Sequence, residues 1–219
     1  MRSVRFKVKG VLLDLDGTIV DSREAYLEAA KAGLAAIRQR LVDTTIVMDI
    51  PKRLEQNMPI NHIINENNKQ RFLEAYLDAY YQATSTKSKP MPNISETLKK
   101  LSQKAKLALI TMRCVSKERI QEELLNFGLA EYFHHVITAL NTCNPKPSPE
   151  ALIECAKMLG IEPCECLVVG DSVADIRAGK NAGAKTVAVL SGIFTLRELE
   201  REKPDLILES VNQLPDFLD

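Results

Sequence analysis

From residue 93 to the end of the chain, short apolar runs alternate with longer amphipathic ones, and this rhythm limits the fold more than any other feature. Helical spacing over 93–104 gives way to the strand-like Lys106-Leu107-Ala108-Leu109-Ile110-Thr111. A helix over 117–127 follows, which Ser116 can cap and Gly128 can stop. Next come a short strand at 135–138, a helix over 149–159 ending at Gly160, a strand at 166–170 and a helix over 173–182 ending near Gly183. A strand at 185–190, a short helix near 195–202, a strand at 205–208 and a last helix complete the series. Strands separated by helices at this spacing imply βαβ units and a parallel sheet. Residues 4–13 are β-rich and supply the first strand, which ends at an acidic turn.

Residues 22–88 break the rhythm. Tyr26, Ala30, Ile37 and Leu41 make one apolar stripe and predict a helix over 23–41. Pro51 and Pro59 interrupt 42–66, which reads as short helical pieces. Phe72, Tyr76, Ala79 and Tyr80 share a face of a strong helix over 67–83. The polar stretch Thr84–Pro92 carries two prolines and reads as a linker. The chain is therefore expected to be an α/β protein: a parallel-sheet core of residues 1–20 and 90–219, with a small all-helical cap, residues 21–89, inserted after the first strand.

Lys plus Arg equals Asp plus Glu, 29 each, so no global field draws the chain to nucleic acid or to an anionic membrane. No apolar run approaches the roughly 20 residues that span a bilayer. The N-terminus is basic at Arg2, Arg5, Lys7 and Lys9, but the apolar Val11-Leu12-Leu13 stops at Asp14, too short for a signal-peptide core. The expectation is a cytoplasmic protein. Its five cysteines, an odd number without a CxxC pair, fit thiols in a reducing compartment, although a disulfide stays open.

In open α/β sheets, ligands bind outside the carboxyl ends of the strands. Four polar clusters fall at such ends: Asp14-Leu15-Asp16-Gly17-Thr18, Thr111-Met112-Arg113, Lys146, and Gly170-Asp171-Ser172 with Asp175. A parallel sheet brings these ends to one edge. Carboxylates gathered there repel one another, and a hard cation with oxygen ligands, most plausibly Mg2+, resolves the conflict. A lysine and a threonine hydroxyl beside that cation suit a phosphate better than a neutral substrate. The residues thus read as a site for metal-assisted phosphoryl transfer.

Those four motifs, in this order and each ending the expected element, resemble the haloacid dehalogenase superfamily, in its phosphatase branch with a helical cap (phosphoglycolate phosphatase and β-phosphoglucomutase-like enzymes). The resemblance covers essentially the whole chain and implies a Rossmann-like core. It implies that Asp14 is the nucleophile that forms an aspartyl-phosphate, and that Asp16 is first general acid, then general base. It implies Mg2+ on the Asp14 carboxylate, the Asp16 backbone carbonyl and Asp171. Thr111 and Lys146 would hold the phosphoryl oxygens. Backbone N–H groups of Leu15, Asp16 and Met112 would add donors, and Gly17 and Thr18 would shape the turn towards the cap. Ser172 would serve the substrate site and cap the following helix. Asp175 would orient Lys146 or stand behind the metal. At Arg113 the family more often has a small or polar residue. Arginine there reaches a substrate anion or pairs with a cap carboxylate, and both readings stay open.

The expected substrate is a small phosphate ester, such as a phosphoglycolate or sugar phosphate, with neither nucleic acid nor membrane as partner, and with the protein a monomer or homodimer. Arg53, Asn57, Asn61 and His62 are cap candidates for selecting it. No glycine occurs in 42–66, unlike the better-known branches. A β-phosphoglucomutase-like mutase is the nearest rival, and a non-catalytic binding protein on the same fold is the rival of another class. Asp16 disfavours a dehalogenase, whose halide leaving group needs no proton, and also a phosphonatase.

Overall fold

A computed structural model describes residues 4–40 and 43–219. Arg2 of the basic N-terminus and Leu41 of the helical stripe lie outside the described residues. The described chain divides into two compact units, Met1–Val20 with Pro90–Asp219, and Asp21–Lys89.

The first unit is built on a six-stranded sheet. Its strands are β1 (Gly10–Leu13), β4 (Lys106–Ile110), β5 (Phe133–Ile137), β6 (Cys166–Gly170), β7 (Lys185–Val189) and β8 (Leu206–Leu208), in the order β5-β4-β1-β6-β7-β8. Every pairing is parallel. The helices between them are α4 (Ile94–Ser102), α5 (Lys117–Asn126), α6 (Glu150–Leu159), α7 (Val173–Asn181) and α8 (Leu196–Arg201). Both β1 and β6 are buried along their whole length, as strands covered on two faces must be. Helix α6 lays Ala151, Leu152, Cys155, Ala156 and Leu159 onto Leu12, Ala108, Ile110 and Val168 of the sheet. Val173, Ile176 and Ala188 pack with Phe194 and Leu199 in a second cluster.

The register fixes the functional edge. Leu13 of β1 lies beside Leu109 of β4 and Val169 of β6. The Asp14 N–H donates to the Val169 carbonyl at 2.9 Å, and the Thr111 N–H to the Ile137 carbonyl at 2.9 Å, so both residues extend the ladders by one step.

The second unit holds α1 (Arg23–Ala36), α2 (Thr44–Glu55) and α3 (Glu66–Lys87). Two short strands, β2 (Val20–Asp21) and β3 (Lys89–Pro90), pair where the chain passes between the units. Ala25, Ala29 and Ala30 of α1 pack with Phe72, Tyr76 and Tyr80 of α3. Tyr26 stacks on Tyr80 with ring centroids 5.3 Å apart.

Several elements differ from the sequence expectation. Helix α1 stops at Ala36, and Arg38 just beyond it takes a positive φ of 59° that no helix continues. Pro51 does not break 44–55 into pieces but sits inside α2, whose Val47 and Ile50 are buried; packing of that apolar face outweighs the lost backbone hydrogen bond. Residues 84–87 are helical rather than linker. There the hydroxyls of Thr84, Ser85 and Thr86 donate to the carbonyls of Tyr81, Gln82 and Ala83, which keeps these polar side chains within the helix. Of 4–13, only Gly10–Leu13 joins the sheet, and Phe6 makes a lone bridge to Leu218. The last helix is a 3-10 segment, Val211–Phe217, with Pro215 inside it.

All five cysteines are free thiols. Burial pushes Cys155 up to about 12 and Cys166 up to about 11, whereas Cys114, Cys143 and Cys164 are exposed. Titration of the native protein at pH 8 with a thiol-reactive chromophore should therefore label Cys114, Cys143 and Cys164 rapidly, and the other two only after denaturation. Peptide mapping of the labelled protein checks this.

Candidate active site

Asp14 leaves the central strand β1 and is 8% exposed. Lys146, 4% exposed, enters the same edge from the loop after β5. Its ammonium donates to Asp14 Oδ1 at 2.6 Å, to Asp175 Oδ1 at 2.6 Å and to the Ile110 carbonyl at 3.0 Å. All three ammonium protons thus have acceptors. Burial alone lowers the Lys146 pKa, but the charges and hydrogen bonds of the two aspartates outweigh it and hold it well above the ordinary lysine value. Burial is also the largest influence on Asp14 and pushes its carboxyl up; Lys146 opposes that push, while Asp175 and Asp16 add to it. Lys146 is therefore a fixed cation shared by two carboxylates.

Asp175 is both helix cap and lysine partner. Its Oδ2 accepts from the Ser172 N–H at 3.2 Å and the Ser172 hydroxyl at 2.7 Å, while the Asp175 N–H donates to Ser172 Oγ at 3.2 Å. This capping box starts α7 and leaves Oδ1 aimed at Lys146. The Ser172 hydroxyl, expected at the substrate, is engaged in this box.

Asp171, at the end of β6, is buried, and its Oδ2 accepts from the Ile193 N–H at 3.3 Å. Asp14, Asp171 and Asp175 each place a carboxylate oxygen within 4.8 Å of the others. The backbone makes room for this. A Cβ on Gly17, whose φ is +80°, would lie 2.6 Å from the Asp171 carboxylate, and one on Gly192 only 1.7 Å from it. The donor set is all oxygen and carries more negative charge than Lys146 balances, which fits a hard divalent cation. Asp14 and Asp171 are the better ligands, since both Asp175 oxygens already hold Lys146 and Ser172.

The remaining predicted residues fall around this centre. The Thr111 Oγ1 accepts from the Arg113 N–H at 3.1 Å. Met112 is half-buried. The Leu15 carbonyl accepts from the N–H groups of Thr18, Ile19 and Val20, which curls the Asp14–Val20 turn upon itself. Thr18 is fully buried, and its Oγ1 has no hydrogen-bond partner among the described residues. Arg113 is buried and donates to two carboxylates of its own unit, Asp16 and Glu123. Of the cap candidates, Arg53 donates to Asp49 and to the Pro59 carbonyl, and His62 lies 3.1 Å from Asp49. Asn57 and Asn61 are exposed.

Glu123 and the loop Ser191-Gly192-Ile193 were not singled out from the sequence. Ser191 donates from Oγ to the Gly17 carbonyl at 2.7 Å, which ties that loop to the acidic turn. Both had a signal. Ser-Gly follows the 185–190 run at a strand's carboxyl end, and Glu123 stands next to Leu124 and three residues after Ile120, on the buried side of its helix.

The model of the haloacid dehalogenase-like hydrolase family matches residues 11–189. The chain belongs to that family. A phosphoglycolate phosphatase of Vibrio vulnificus is 31% identical, with 97% of this chain and 96% of that protein covered. The chain is an enzyme of the family's phosphatase branch. Pyrophosphatase PpaX of Halalkalibacterium halodurans is 29% identical, with 97% and 96% covered. A haloacid dehalogenase-like hydrolase structure from Streptococcus pneumoniae superposes with a TM-score of 0.84 at 17% identity, covering 96% of this chain and 98% of that one, a likeness of fold.

Replacing Lys146 with Met leaves two buried aspartates without their cation, and should destabilise the phosphatase by about 3–5 kcal/mol in urea unfolding. Adding Asp175→Asn should recover part of the loss. Because the folded Lys146 pKa lies above its ordinary 10.5, the stability it supplies is fully present below that pH and is lost as pH rises through the folded value. In metal-free buffer the urea midpoint of the unsubstituted protein should therefore fall more steeply above pH 10.5 than that of Lys146→Met.

Proposed function

We propose that this enzyme is a Mg2+-dependent phosphatase that hydrolyses a small phosphorylated metabolite through an aspartyl-phosphate on Asp14. The observation that carries the reading is Asp14 at the carboxyl end of β1, hydrogen-bonded to buried Lys146 and grouped with Asp171. Asp14, the Asp16 backbone carbonyl and Asp171 would hold the ion. When bound, Mg2+ offsets the repulsion between the Asp14 carboxylate and the substrate phosphate.

An Asp14 carboxylate oxygen attacks phosphorus as the bond to the leaving oxygen breaks, and Asp16 gives that oxygen its proton. Asp16 then takes a proton from water, the water oxygen attacks phosphorus, and the Asp14–phosphorus bond breaks to release inorganic phosphate. Thr111 and Lys146 hold the phosphoryl oxygens, with backbone N–H groups of Leu15, Asp16 and Met112 as further donors. Asp175 keeps Lys146 aimed at Asp14.

The names of the relatives point to phosphoglycolate, or a comparably small phosphate ester or anhydride, as substrate class. The helical unit 21–89 takes the role of cap and selects the leaving group. The setting is the cytoplasm; among the described residues no helix is long and apolar enough to cross a membrane.

A screen of phosphorylated metabolites, with p-nitrophenyl phosphate as generic ester, tests the reading. Phosphate release should require Mg2+ and stop with EDTA. Asp14→Asn should abolish it, and retention of the original rate would remove Asp14 as nucleophile. Isomer formation from glucose 1-phosphate with a bisphosphate primer, instead of phosphate release, would make the protein a mutase. Asp16→Asn should lower kcat for an alkyl phosphate by about 100- to 10,000-fold.

A further inference from the structure

The turn Asp14-Leu15-Asp16 divides its two aspartates between two separate ion clusters. Asp14 shares Lys146 with Asp175. Asp16 shares Arg113 with Glu123. Arg113 Nε donates to Asp16 Oδ2 at 2.8 Å and Nη2 donates to Oδ1 at 2.7 Å, a two-pronged grip on the whole carboxylate. The third nitrogen, Nη1, donates to Glu123 Oε2 at 2.5 Å. The side chains of Arg113, Asp16 and Glu123 are 2%, 13% and 10% exposed.

Charge balance does not require this arrangement. Asp16 alone would neutralise the guanidinium. Glu123 adds a second carboxylate at the cost of its own burial, which pushes its carboxyl up, and its Oε1 has no hydrogen-bond partner among the described residues. Two carboxylates on one buried arginine stabilise a fold poorly. They do fix a direction. Arg113 follows β4 in a loop, whereas Glu123 belongs to helix α5, so the helix holds the far side of the guanidinium while the near side holds Asp16. A planar fork sets both the distance and the plane of the carboxylate it grips, which a lysine cannot do. Each of the three nitrogens donates to a carboxylate.

We propose that Arg113 is a positioning residue that aims the Asp16 carboxyl at the leaving oxygen, and that Glu123 is the anchor that aims Arg113. The proposal rests on the reading of Asp16 as proton donor in the phosphatase reaction. Its consequence is a dependence on the leaving group. An alkoxide needs the proton that Asp16 delivers, whereas p-nitrophenolate leaves with little help. Misaiming Asp16 therefore slows phosphoryl transfer from alkyl esters to Asp14 more than transfer from aryl esters, whereas hydrolysis of the aspartyl-phosphate slows equally for both.

The test compares kcat and KM for 2-phosphoglycolate and p-nitrophenyl phosphate in the full-length protein with Mg2+, for Arg113→Met, Arg113→Lys and Glu123→Gln. Folding of each is checked by thermal unfolding. Arg113→Met should lower kcat/KM for phosphoglycolate about 100-fold and kcat/KM for p-nitrophenyl phosphate much less, because kcat/KM reports phosphoryl transfer to Asp14 and not the later hydrolysis that both esters share. Glu123→Gln should shift the ratio in the same direction by a smaller factor, and Arg113→Lys should restore only part of the loss. Should Arg113→Met fail to fold, Glu123→Gln and Arg113→Lys decide. Equal losses of kcat/KM on both esters would overturn the proposal in favour of a structural role. A rise in KM alone would overturn it in favour of substrate binding. A crystal structure of Glu123→Gln gives a readout independent of activity, since the Asp16 carboxylate should turn from its original plane; an unmoved Asp16 counts against the anchor. If the unsubstituted protein releases no phosphate from either ester, the phosphatase reading fails, an outcome distinct from an unchanged ester ratio in the variants.

Discussion

Two buried carboxylates, Asp14 and Asp175, depend on a single ammonium, that of Lys146. Removing charges from water is expensive, and this edge of the sheet tolerates them only because the lysine meets both oxygens at 2.6 Å. The rest of the edge follows from that contact. The loop after β5 must return Lys146 to the end of β1, and α7 must start where Asp175 reaches it. The Ser172–Asp175 capping box satisfies the second condition while it begins the helix. With Asp171 grouped nearby, negative charge still exceeds positive, and the excess is the electrostatic demand for a divalent cation.

The same pattern recurs two residues along the turn, where Arg113 lies between Asp16 and Glu123. One cation serves two carboxylates in each cluster, but the geometries differ. A lysine is a point charge whose three donors spread to Asp14, Asp175 and the Ile110 carbonyl. An arginine is a planar fork that grips Asp16 through both oxygens. Asp14 and Asp16 are therefore held by different chemistry although one residue separates them. The curled Leu15–Val20 backbone, with Gly17 at positive φ beside Asp171, lets the two side chains diverge.

Legibility in the sequence followed the range of the forces involved. The alternation after residue 93 reads directly, because strand and helix periods are local, and the parallel sheet follows from it. Asp14, Thr111, Lys146 and Asp171 were placed at strand ends by the same reasoning. Proline at 51 and hydroxyls at 84–86 misled the local reading. In α2 the burial of Val47 and Ile50 outweighs the proline, and in α3 side-chain hydroxyls bond back to the helix itself. Packing, which is absent from a single sequence, decided the first case; in the second, local hydroxyl-to-carbonyl bonds let residues typical of a linker stay helical.

By itself the sequence determined the α/β class, the helical insertion after the first strand, and the set of acidic and basic residues that meet at one sheet edge. Period and strand-end position are properties of short segments, so they survive without coordinates. Only the tertiary structure decided which charge meets which. Arg113 was open to a substrate or to a cap carboxylate; it grips Asp16, 97 positions earlier in the chain, and is held by Glu123 on a helix the motifs do not mention. Ion pairing at that separation depends on where crossovers return the chain and how deeply each group is buried, and neither is written in any local stretch of residues.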